Sequence, residues 1–148
     1  MKKIISLILC LGLILTGCSN EQNLTLSVKE VVAQVYNGLE DLPELVEIEV
    51  TNENISYYLG IDNLDIKEGI ASEPLRSCFA HSVVVVRVNN GVNVERVKKQ
   101  IKENVNPRKW VCVGAEEVIV ENKGDIIILI MANNKVASKL QTNFQKLK

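Results

Sequence analysis

Aromatic side chains are scarce in this 148-residue chain: two Phe, three Tyr and one Trp, 4% in all. Histidine occurs once, at His81, so any His-dependent nucleophile must use that residue. Neither sign of charge is in surplus, with 17 Lys and Arg against 18 Asp and Glu. That balance excludes the basic footprint by which proteins hold nucleic acid or anionic headgroups. Gly-rich phosphate loops and Gly-x-Ser-x-Gly elbows are absent, and so are the signatures of cofactor binding. A bilayer span needs about 20 apolar residues. The longest apolar run, residues 4–15, is shorter than that and is broken by Ser6 and Gly12.

That run carries the chain's most specific signal. Lys2 and Lys3 precede it, and Leu15-Thr16-Gly17-Cys18 closes it with small residues. The layout is that of a secretory signal peptide, and the tetrapeptide resembles a bacterial lipobox. In lipoproteins of that kind a diacylglyceryl group is attached to the cysteine thiol, and the leader is then removed on its N-terminal side. Residues 1–17 are thus expected to be the signal peptide, with Cys10 lost in it and Cys18 lipidated. Each buried CH₂ is worth about 0.8 kcal/mol, and two acyl chains anchor stably where one does not. The membrane is therefore the expected partner, reached through lipid on the extracytoplasmic face. The mature chain keeps 15 basic side chains against 18 acidic ones. Its 131 residues suffice for one domain with a real core.

Residues 18–26 read as lipidated cysteine and tether, and residues 27–148 as a single domain. Ser27 with Glu30 fits a capping box, and Val28, Val31, Val32, Val35 and Leu39 recur at helical spacing. This predicts a helix over 28–41, stopped before Pro43. Residues 45–50 alternate as a short strand, and a short helix through Tyr57 and Tyr58 should end at Gly60. Residues 65–71 are weakly strand-like, followed by a loop around Pro74. Val83 to Val86 are consecutive valines, as in a strand buried on both faces. Asn93 caps an expected helix over 94–105, ended by Pro107. Residues 117–121 alternate, Asn122-Lys123-Gly124-Asp125 signals a hairpin turn, and 126–131 form a second wholly apolar strand. Asn133 or Asn134 should cap the last helix.

The fold class expected is α+β: an antiparallel sheet of about four strands with three amphipathic helices gathered on a face. The two apolar strands should lie centrally and side by side. At an offset of 43 residues Val83 falls on Ile126, Val97 on Leu140 and Ile101 on Phe144. Two strand-strand-helix units could underlie that echo, by duplication or by convergence.

At Tyr57-Tyr58-Leu59-Gly60-Ile61 and Asn106-Pro107-Arg108-Lys109-Trp110 the chain resembles a family of small Gram-positive lipoproteins catalogued only as a domain of unknown function. A composition rich in Lys, Ile and Asn leans the same way. The resemblance covers most of residues 30–147. It implies a membrane-anchored extracytoplasmic module with no assigned activity; an unknown envelope protein or ligand is the expected further partner.

Few residues remain for chemistry. Cys78 and Cys112 are the thiols left beyond Cys18. They either pair as a disulfide, worth about 3–4 kcal/mol for a loop of this length, or pack as free thiols. Cys78, His81 and Cys112 together would serve a small metal, redox or Cys–His module, although structural zinc sites usually have two tight ligand pairs. No metal site is assigned. Trp110 beside Arg108, with Tyr58, is where a binding surface would first be sought. The favoured reading of Trp110 is structural: it covers an edge of the core with Arg108 stacked on it. No catalytic residue is assigned, and a non-enzymatic binding module is expected.

Overall fold

Seven consecutive residues with no exposed side chain make each of two strands, Ser82–Val88 and Ile126–Ala132, and these form the middle of the sheet. The computed structural model describes residues 23–148. The leader and Cys18 lie outside the described residues. In chain order the elements are α1 (Val28–Val35), β1 (Leu45–Glu49), α2 (Ile55–Leu59) and β2 (Ile66–Pro74). Then come β3 (Ser82–Val88), α3 (Val94–Asn104), β4 (Glu117–Lys123), β5 (Ile126–Ala132) and α4 (Asn134–Lys146). The sheet is antiparallel throughout in the order β1-β2-β3-β5-β4. The class is the expected α+β, with five strands and four helices among the described residues.

The valine run has no alternation because both faces of the sheet are covered. Val84, Val86 and Val88 face a core shared with Ile55, Leu59, Val97 and Ile101 from α2 and α3. Val83 and Val85 face the other core, with Val31, Val35, Leu140 and Phe144 from α1 and α4. The helices therefore flank the sheet in two layers rather than gathering on one face. This also decides the internal echo. Val85 lies directly opposite Ile128, the residue 43 positions on. A two-fold axis through that pair, perpendicular to the sheet, would put α3 and α4 on the same face. They lie on opposite faces. The strand-strand-helix order repeats along the chain, but the packing does not.

Three boundaries moved for physical reasons. The first helix stops at Val35, six residues early, because Gly38 turns left-handed at φ 68° and Leu39 N–H bonds back to Tyr36. β2 runs on to Pro74, pairing with β1 as far as Leu45. The expected tether is partly domain: Leu24 is buried in the α1/α4 core, and the Leu26 carbonyl accepts from Arg87 Nη2. Arg87 also binds Glu68 at 2.9 Å and Asp125 at 2.6 Å, and Asp125 N–H donates to Asn23 Oδ1 at 3.1 Å. The N-terminal segment is thus stitched to one end of the sheet, where β3 ends and β5 begins.

Gly60 ends α2 at φ 68°, and a Cβ there would sit 2.5 Å from the backbone carbon and oxygen of Asn104. Neither atom can swing aside. Gly60→Ala should therefore cost about 1–3 kcal/mol, as overpacking does, read as a lower urea midpoint at unchanged slope.

Candidate functional site

The opposite end of the sheet collects three loops: residues 36–44, 75–81 and 105–116. Leu75 N–H bonds the Glu44 carbonyl at 2.8 Å, and Val111 N–H bonds the Ser77 carbonyl at 3.0 Å. Of the six aromatic residues, Tyr36, Tyr57, Tyr58, Phe79 and Trp110 lie at this end, and only Phe144 is elsewhere. In a chain this poor in rings, such concentration marks the end as specialised.

Two polar clusters sit back to back here, one on each face of the sheet. Neighbouring strand residues point to opposite faces, so Ser72 and Glu73 part company, as do Val83 and Ser82. On the α2/α3 side, Glu73 Oε1 accepts from Ser82 Oγ and from Lys109 Nζ, the latter at 2.7 Å. Lys109 Nζ also lies 3.3 Å from Ser82 Oγ. Its ammonium stands 5.0, 5.1 and 5.4 Å from the ring centres of Tyr57, Tyr58 and Trp110, within cation–π range. The Lys109 side chain is 4% exposed and that of Glu73 10%. Burial pushes the Lys109 ammonium below the ordinary lysine range, while the Glu73 carboxylate pulls it back. Burial also raises the Tyr58 phenol, with Glu73 adding to it.

On the α1/α4 side, the Tyr36 hydroxyl donates to Ser72 Oγ at 3.0 Å and lies 2.7 Å from His81 Nε2. With the Tyr36 proton directed to Ser72, the network assigns the His81 proton to Nε2 and leaves Nδ1 bare. Burial lowers the His81 pKa to about 4, so the ring is neutral at physiological pH. Burial raises the Tyr36 phenol well above its usual value, the Ser72 bond opposing and the Glu73 and Glu47 charges adding.

Trp110 is 8% exposed and packs in the core, the structural role favoured for it. Tyr58 is 6% exposed in the same core, so neither offers the binding surface that would be sought there. The cation over the Trp110 ring is Lys109, whereas Arg108 is exposed. Cys78 and Cys112 are free and exposed. Cys78 and His81 line one groove of about 410 Å³, but no hydrogen bond joins them among the described residues, and His81 bonds Tyr36. Among the described residues no group of three His, Cys, Asp or Glu side chains is placed to hold a metal ion.

Glu73, Lys109, Tyr36 and Ser72 were missed in the sequence. The available cue was the pair of polar dipeptides Ser72-Glu73 and His81-Ser82, which bound the apolar parts of β2 and β3. One register step beyond Ser72–Val83 sets Glu73 opposite Ser82. Ser82 and Lys109 have the composition of a Ser–Lys nucleophile and base. The Ser82 residue is fully buried and its proton goes to Glu73, so no substrate carbonyl can meet it.

Around this enclosed chemistry the rim is apolar. Leu75, Phe79 and Val111 are 56%, 46% and 63% exposed, and Tyr57 is exposed on the same side, over Lys109. Fold and site together define a small three-layer α+β domain whose polar groups fasten loops and whose large exposed apolar side chains, among the described residues, gather at one end. Compared with protein-family models, curated proteins and solved structures, the chain matches none. No helix among the described residues is long and apolar enough to cross a membrane.

Proposed function

We propose that this chain is a lipid-anchored module on the outer face of a bacterial membrane, held through a diacylglyceryl group on Cys18. It works by binding an envelope protein through the loop end of its sheet, without catalysis. The observation that carries the reading is the domain's polarity. The N-terminal segment is fastened at one end by Arg87 and Asp125, and the large exposed apolar side chains among the described residues gather at the other. A patch of this kind usually marks an interaction site.

The membrane itself is a poor occupant for that patch. Five steps of chain separate Cys18 from Asn23, a reach of about 17 Å at most. A seven-residue strand is about 23 Å long. The leash is too short to run back along the domain, so an anchored domain presents Phe79 and Val111 away from its own bilayer. The rival reading, a Cys78, His81 and Cys112 module, is weakened because His81 is committed to Tyr36.

Fractionation and cross-linking in cells test both halves. Cys18→Ser should move the protein out of the membrane fraction. A photoreactive residue at position 79 should cross-link to protein, and one at Asn90, near the fastened end, to lipid. An unmodified Cys18 in the mature wild-type chain, or lipid adducts at position 79, would sink the proposal.

A further inference from the structure

We propose that Cys78 and Cys112 are a redox-active pair that closes to an intramolecular disulfide across the two loops at the apolar end. The inference stands apart from the lipid anchor, since it needs only an oxidising thiol–disulfide couple around the folded domain.

The two thiols lie on different loops, and the structure brings those loops together at the residues next to them. Val111 N–H donates to the Ser77 carbonyl at 3.0 Å. That oxygen sits on the peptide leading into Cys78, and that nitrogen begins the residue before Cys112. Standard backbone dimensions then keep the two cysteine Cα atoms within about 10–11 Å of each other. A disulfide needs about 4.4–6.8 Å. The Cα separation left to close is therefore a few ångströms at most, in a stretch where residues 75–79 and 111–112 are exposed.

The loops are rooted so that their tips stay paired. Lys109 pins the second loop to Glu73 of β2 and Ser82 of β3, the two strands that flank the first loop. Ala115 N–H bonds the Pro107 carbonyl at 2.8 Å and closes the second loop on itself. Both thiols are free and exposed, so a small oxidant reaches either.

The chemistry balances with oxidised glutathione as the oxidant. One cysteine thiolate attacks it, forming a mixed disulfide and releasing one glutathione thiolate. The second cysteine thiolate attacks the protein sulfur of that intermediate and releases the other glutathione. Two protein thiols are oxidised and one glutathione disulfide is reduced to two thiols. Because Phe79 and Val111 adjoin the cysteines in sequence, the bond ties the two exposed apolar side chains into one arrangement.

Trypsin makes the test direct. Cleavage after Arg76, Arg87, Lys109 and Lys123 puts Cys78 in residues 77–87 and Cys112 in residues 110–123. The full-length protein is reduced, exposed to a glutathione redox buffer, quenched by acid and alkylation, and mapped by mass. The expected product is the linked pair of peptides from a monomer. Its ratio to glutathione adducts should exceed by about tenfold the ratio found in denaturing urea, as preorganised groups have a higher effective concentration. Cys78→Ser should leave Cys112 as a stable glutathione adduct. Separate adducts on both cysteines of the folded wild-type chain, linkage only between two chains, or an equal yield in urea would each overturn the proposal.

Discussion

Lys109→Ala is expected to destabilise the domain by about 3–5 kcal/mol, the cost of leaving one member of a buried ion pair alone. Glu73 would keep the Ser82 bond and lose the counter-charge at 2.7 Å, in a site with little solvent to replace it. Three aromatic rings would lose their cation as well. Domains of this size are held by about 5–15 kcal/mol, so the variant should be largely unfolded in moderate urea. Replacing both partners, Glu73→Leu with Lys109→Met, should recover part of the loss, because the desolvation penalty disappears with the charges while the buried Ser82 hydroxyl is left unpaired. Equilibrium urea unfolding of wild type, single and double variants measures this as a cycle. If Lys109→Ala costs less than about 1 kcal/mol, the pair is not the fastening that its geometry describes.

His81 gives the second large effect, a loss of stability in acid. Its pKa falls from 6.5 to about 4 in the folded protein, through burial. Between those values the unfolded chain binds a proton that the folded chain does not, so stability falls as pH falls through that window. It is fully present above about pH 6.5, and about 3 kcal/mol is gone below pH 4. Asp41 and Glu116 line the same groove, so a reference variant is needed. His81→Gln retains a polar partner for Tyr36 but takes up no proton. Unfolding free energies of the two proteins from pH 7.5 to 4 should diverge, wild type losing more by about 3 kcal/mol. Parallel curves would mean that His81 titrates alike in both states.

Much of the secondary structure was legible because it rests on local chemistry. Ser27 and Glu30 form both bonds of the capping box, Asn93 and Asn133 cap their helices, and Gly124 turns the β4–β5 hairpin. The two central strands announced themselves by apolar runs without alternation. The end of α1 did not, since Leu39 kept the helical spacing while Gly38 broke the backbone. The candidate site was hardly legible at all. Arg108 reads as the cation stacked on Trp110, yet it is the adjacent Lys109 that turns inward over the ring. Which of three neighbouring side chains faces the sheet depends on where the loop crosses it, and sequence spacing does not encode that.

The sequence by itself determined the two central strands, the helix caps, the apolar stripes and the lipobox pattern, all properties of residues within a few turns of one another. Tertiary structure alone decided the rest. It split the helices between two faces, drew five of six aromatics to one end, and paired Glu73 with Lys109 and Tyr36 with His81. Those pairs join residues 36 and 45 positions apart. Their partners are chosen by strand register and by the path of a loop, which are settled only when the whole core packs.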